Sequence, residues 1–127
     1  DNVATEVLID TVIYDPLGWR DTKLPSRINI PTDGIYLITG FFRFVDNTTG
    51  YRLGQIVSAL DGVPYTQFSM NVDTSTGRGL INISLAYYLQ AGDQLYFQVI
   101  QNSGTTLTTY PTSTRFPKFS VVLLKSL

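Results

Sequence analysis

Two residue types that dominate enzyme active sites are missing: the chain has no cysteine and no histidine. Without cysteine there is no disulfide framework, no thiolate metal site and no cysteine nucleophile. The absence of histidine removes the serine–histidine triads and the imidazole metal clusters. Charge is scarce too, at 15% of residues against roughly 25% in ordinary soluble domains. The formal net charge is −1 and the nine basic residues are dispersed, so no electrostatic field points toward nucleic acid or an anionic membrane. No apolar run approaches the roughly 20 residues that span a bilayer as a helix, and membrane insertion is not expected. The chain opens at Asp1 without a methionine and shows no signal-peptide pattern, the form expected of a processed chain or a piece of a longer one.

What is present is an aromatic-rich chain of 127 residues, 43% of them hydrophobic. That length suits one domain over residues 1–127, able to bury roughly two-thirds of the surface its unfolded chain exposes. Thr, Ser, Asn and Gln must cover much of the surface in place of charges. A low-charge, aromatic-rich exterior is what a subunit partly covered by another would present.

Periodicity reads as strand nearly throughout. Thr5 to Tyr14 is rich in β-branched residues and stops at the turn signal Asp15-Pro16-Leu17-Gly18. Trp19 to Pro25 is irregular, and Arg27 to Ile30 alternates as a half-buried strand should. Ile35 to Val45 is apolar on both alternating faces, with Tyr36, Ile38, Phe42 and Phe44 on one and Ile35, Leu37, Phe41 and Val45 on the other. A strand with one face in water does not read that way, so both faces are expected to be covered. Strands follow at Tyr51 to Leu60 and Val63 to Val72, joined by an Asp61-Gly62 hairpin turn. Further strands fall at Leu80 to Leu89, Gln94 to Ile100, a short Thr105 to Tyr110, and Phe116 to Leu124. Eight to ten short strands without a helix predict an all-β antiparallel sandwich or jelly roll.

Three segments, in this order, resemble the globular head of complement subcomponent one-q and its relatives in the tumour necrosis factor superfamily. Ile30-Pro31-Thr32-Asp33-Gly34-Ile35-Tyr36-Leu37-Ile38 looks like the Pro-x-x-Gly-x-Tyr lead into the long central strand. Leu89-Gln90-Ala91-Gly92-Asp93-Gln94-Leu95 is similar to the Leu-x-x-Gly-Asp turn, and Arg115 to Leu124 resembles the closing strand. Ile13-Tyr14-Asp15 to Thr22 occupies the place of a Tyr-Asp segment, so the likeness covers roughly residues 7 to 125. Bacterial and phage versions of the head resemble this chain most, through the Asp-Thr-rich opening and Gln101-Asn102-Ser103-Gly104. Val121 departs from the small residue of many relatives, and the animal members' cysteine is absent. The resemblance implies a jelly roll of about ten strands and a tight homotrimer, with Tyr36, Phe42, Tyr88 and Phe97 as candidates for the trimer interface. Taken singly, each reads more readily as an ordinary core residue, and the expectation is that some of the set lies at a subunit interface.

Little here points to catalysis. Nine Asp and the lone Glu6 are the acid–base groups available, and most of the Asp stand beside Gly, Pro or Asn, where a short side chain bonds its own turn. No cofactor motif occurs. Calcium held by Asp46 to Gly50 or Asp73 to Gly77 is chemically conceivable, yet single carboxylates flanked by Thr and Asn make a poor cage. Asn47-Thr48-Thr49 and Asn82-Ile83-Ser84 match the glycosylation acceptor pattern by composition alone. The candidate ligand-binding loops carry Asn47, Thr48, Thr49, Thr74, Arg78 and Tyr110, because a flat ring beside short polar groups suits sugars and protein surfaces. The expectation is a non-enzymatic trimeric structural and binding module on a virion surface, a phage capsid decoration knob or tail-fibre head. Its partners would be a capsid, a fibre or a surface glycan. The alternative is a lectin-like carbohydrate- or receptor-binding head on a bacterial surface, so the expected location is a virion surface, or else extracellular on a cell surface.

Overall fold

The computed structural model describes residues 3–6, 15, 17–24, 26–72, 79–107 and 118–127. Every regular element among them is a strand: β1 (Thr5–Glu6), β2 (Arg27–Asn29), β3 (Gly34–Phe44), β4 (Arg52–Leu60), β5 (Val63–Val72), β6 (Gly79–Leu89), β7 (Gln94–Gln101) and β8 (Lys118–Ser126). All pairings are antiparallel. In the first sheet β1 and β2 share one side of β7, whose other side pairs with β4, and β4 pairs with β5. The second sheet has the order β6-β3-β8.

The two sheets close on a core of Ile30, Tyr36, Ile38, Phe42, Phe44, Ile56, Ile81, Ile83, Leu89, Leu95, Phe97 and Val99. Alternation explains the membership, since β3 is buried at every second residue from Gly34 to Phe44. Phe97 sits at the middle, edge-on to Phe42 with centroids 6.5 Å apart and stacked on Phe119 at 6.3 Å. Gly40 makes room for that ring: a Cβ there would stand 3.2 Å from it. Gly54 lies against Ile81 so closely that any side chain would collide with it.

Turn chemistry follows the residue types. Asp61 and Gly62 have φ of 52° and 79°, the left-handed pair that a two-residue hairpin between twisted strands demands. In the β6–β7 turn, Asp93 accepts the Gln90 N–H at 2.8 Å through Oδ2. Asp33 accepts the Ala91 N–H at 2.8 Å, tying the β2–β3 turn to the β6–β7 turn.

Of the predicted strand Thr5 to Tyr14, the described part is Thr5–Glu6; residues 7–14 lie outside the described residues. Thr105 to Leu107 is not a strand, and 108–110 lie outside. Eight strands are therefore seen among the described residues where about ten were expected.

A polar clasp fastens β1. The Glu6 carboxylate accepts from Arg27 Nη2 at 2.7 Å and from the Ser26 hydroxyl. Arg27 also donates to Gln94 Oε1 at 3.1 Å and lies 4.4 Å above the Tyr96 ring. The Gln94 amide continues to Asp21 at 3.0 Å. Arg27 holds the Glu6 carboxyl below the ordinary glutamate range, against the opposing effect of burial. Asp21 is lowered too, by the Leu24 and Lys23 backbone N–H groups.

Gly50 combines φ of +71° with a backbone so close to Asn102 that a Cβ has no room, whereas Gly62 has open space around it. Gly50→Ala should therefore cost at least about 2 kcal/mol and Gly62→Ala about 1 kcal/mol, readable as the difference in thermal midpoints. Equal costs would overturn the contact. Because the folded Glu6 carboxyl is the more acidic, its clasp stabilises above the ordinary glutamate range and fails as pH falls through the lowered folded value. Between about pH 6 and about pH 3 the thermal midpoint should drop less steeply in Glu6→Gln than in the parent. The Asp21 contribution remains in both, and parallel curves would remove Glu6 from the account.

Candidate functional site

The face of β6-β3-β8 turned away from the core is the first candidate. Along β3 it carries Ile35, Leu37, Thr39, Phe41 and Arg43, all half-buried in the single chain. Cross-strand pairing lays rows over them. Ile35 lies beside Tyr88, Leu37 stands between Ala86 and Val122, and Thr39 stands between Ser84 and Ser120. Leu80 pairs with Arg43 at the far end. Val122 is 51% exposed, with Leu124 beside it at the register shift and Leu80 also open to solvent. The Leu37 row is apolar and the Thr39 row is made of hydroxyls, while charge stands toward the ends, with Lys125 opposite Ile35, Lys118 opposite Phe41 and Arg43 opposite Leu80.

This placement corrects the sequence-based interface. Tyr36, Phe42 and Phe97 are 0%, 6% and 0% exposed; they are core residues with no surface left for a neighbour. Tyr36 packs edge-on to Trp19 at 6.0 Å and donates its hydroxyl to the Thr32 carbonyl at 2.7 Å. Tyr88, 41% exposed, is the member of the four that lies at the surface. Both faces of β3 read as apolar, and Tyr36 and Phe42 lie on the one that faces the core. A signal was present, for Gly34 and Gly40 share the parity of Tyr36, and glycines mark the side where another sheet or strand comes close.

The β3–β4 loop holds Asn47, Thr48 and Thr49. Asn47 Oδ1 accepts the Thr49 N–H at 2.8 Å, and Thr48 is exposed. Beneath them Arg52 is 0% exposed. Its guanidinium donates to the carbonyls of Thr49 at 3.0 Å, Tyr51 at 2.9 Å and Asn47 at 3.2 Å. Burial lowers its pKa, and among the described residues Nε has no partner. Carbonyls that a calcium ion at Asp46 to Gly50 would need thus already face a fixed cation, and Asp46 is paired with Arg43 at 3.3 Å. Asn47 and Thr49 shape this loop. Thr74, Arg78, Tyr110 and the alternative calcium segment from Asp73 to Gly77 lie outside the described residues.

A second site, absent from the sequence reading, opens where the edges of β5 and β6 part. It is a cleft of about 260 Å³ walled by Tyr65, Tyr87 and Tyr88, with Ser58, Gln67 and Asp93 among its polar groups. Its position follows from a register shift between Ile56 and Val57, which leaves Gln67 unpaired between Thr66 and Phe68. An extra residue in one strand re-aims a side chain, and here the Gln67 amide donates to Ser58 Oγ at 2.6 Å. Asp93 is 8% exposed and spends one carboxylate oxygen on the Gln90 N–H. Tyr87 has the parity of the core face of β6, yet it is 39% exposed while Leu89, next on that face, is buried.

No family model matches the chain. Over 88 residues it is 34% identical to an uncharacterised protein, L688, of Acanthamoeba polyphaga mimivirus. That stretch is 66% of this chain and 37% of the viral protein, so the chain spans little more than a third of its relative. A crystal structure of murine APRIL superposes with a TM-score of 0.65 at 17% identity, covering 87% of this chain and 80% of that one. A second murine APRIL structure gives a TM-score of 0.56 at 16% identity over 76% and 70% of the two chains. The chain therefore has the jelly-roll fold of the tumour necrosis factor type.

Proposed function

We propose that the chain is a non-enzymatic structural and binding module that assembles as a homotrimer and is displayed on a virus particle, as a decoration knob or a fibre head. The observation carrying this reading is the outward face of β6-β3-β8, where Leu37, Ala86 and Val122 form an apolar row beside the hydroxyl row of Ser84, Thr39 and Ser120. Monomeric proteins seldom leave such a face to water. Three copies about one axis would join the β6 flank of each to the β8 flank of the next, a closed head-to-tail ring. A second copy is the fitting occupant because the apolar Leu37 row and the adjoining row of hydroxyls can meet their own kind without charge repulsion.

The remaining chemistry supports binding over catalysis. Asp15 caps the Trp19 N–H at 2.9 Å, Asp21 the Lys23 N–H at 2.8 Å, and Asp33, Asp93 and Glu6 hold turns or the β1 clasp. The viral relative supports a viral origin; the place on a virion and the phage assignment rest on the sequence resemblance. A carbohydrate- or receptor-binding head on a cell surface is the second reading, favoured by the cleft between β5 and β6.

Light scattering across a dilution series tests the assembly. The expected species has three times the chain mass of 14.2 kDa, with a thermal midpoint that rises with protein concentration. Leu37→Glu should shift the mass to that of one chain while the β-sheet circular dichroism persists. A parent protein that is monomeric at every concentration overturns the trimer.

A further inference from the structure

We propose that the cleft between the β5 and β6 edges binds a neutral pyranose, as a free sugar or the tip of a glycan. The inference rests on the reading of this chain as a binding module, and Tyr88 is the residue the cleft shares with the outward β6-β3-β8 face. Three features carry it.

Size comes first. At about 260 Å³ the cleft lies below the range of roughly 300–1,000 Å³ typical of drug-sized ligands; it admits one sugar ring and little more. Wall chemistry comes second. A pyranose has faces of C–H groups that lie flat on aromatic rings and a rim of hydroxyls that both donate and accept. Tyr65 and Tyr87 supply the rings, and Tyr88, on the opposite face of β6, stands at the rim. Gln67 and Gln90 supply amides, and Ser58 a hydroxyl. Asp93 has one carboxylate oxygen on the Gln90 N–H, which leaves the other to accept from a ligand hydroxyl.

Charge comes third. No Lys or Arg lines the cleft, and its one ionisable acid is Asp93. A phosphate, sulfate or carboxylate ligand would meet a like charge with no cation to offset it, so the pocket selects against anionic sugars and nucleotides. Positioning is built in as well. The register shift in β5 that re-aims Gln67 anchors its amide on Ser58 at 2.6 Å, and Asp93 is fixed by the β6–β7 turn. A site held by strand geometry in this way is ordered before the ligand arrives.

Saturation-transfer difference NMR on the intact chain, with the methyl glycosides of glucose, galactose, mannose and N-acetylglucosamine on the order of 10 mM each, tests the assignment in the millimolar affinity range. At least one should show transfer concentrated on its ring protons, and sialic acid should show none. Tyr65→Ala and Asp93→Asn should each weaken binding at least about tenfold, the loss of one stacking or charge-assisted contact. Val63→Ala, exposed on the same strand but outside the cleft, should leave binding unchanged and report that β5 still folds. No transfer to any neutral glycoside, or transfer undiminished in both cleft variants, overturns the site. Light scattering on the same samples separates the two claims. Trimers that bind no sugar overturn this inference alone, and monomers that bind sugar overturn the assembly alone.

Discussion

The Phe97 ring, carried by the first sheet, packs against Gly40 of the second, and the geometry of that contact sets the rest of the molecule. It lies between Phe42 and Phe119, under a glycine at position 40 and beside another at position 54. Those two glycines let strands β3 and β4 approach the ring from opposite sheets, and interiors packed at this density tolerate no added carbon without displacement. Once the ring is seated, the parity of β3 is decided. Tyr36, Ile38, Phe42 and Phe44 must face it, and Ile35, Leu37 and Phe41 must face away. The outward apolar row is therefore a consequence of how the core closes, and the strand that organises the interior also builds the surface offered to a partner.

Polar groups are spent in a consistent way. Among the described residues, Asp15, Asp21, Asp33 and Asp93 each accept backbone N–H groups at turns, and Glu6 is held by Arg27 and Ser26. Arg52 does the converse, gathering three carbonyls of the β3–β4 loop beneath the surface. A buried guanidinium lacking a carboxylate is costly unless its donors are met, and here the loop backbone meets most of them. The apolar face and the tyrosine cleft remain as the surfaces whose chemistry is not consumed internally. Both are built on strands, which holds their side chains more firmly than a loop would.

Strand positions were legible because alternation and turn residues are local. Val63 to Val72, Asp61-Gly62 and the Gln90 to Asp93 turn stand where β-branching and the Gly-Asp pairs place them. The cleft was not legible, since it depends on a one-residue shift between β4 and β5 that no composition signal announces. Arg52 was equally hidden; a lone arginine at the start of a strand reads as a solvated charge, and only the folding of the Asn47 to Tyr51 backbone around it makes it interior.

By itself the sequence determined the all-β class, most strand limits, a central strand apolar on both sides, and the exclusion of thiol and imidazole chemistry. The tertiary structure decided which side of β3 is interior, a choice marked in the sequence only by the parity of Gly34 and Gly40, and it alone decided where the sheets part to leave a cleft and which polar groups are already used. The physical reason is symmetry. A period of two divides a strand into equal faces without saying which is inside, and that choice is made by contacts between residues far apart in the chain, such as Gly40 with Phe97 and Gly54 with Ile81.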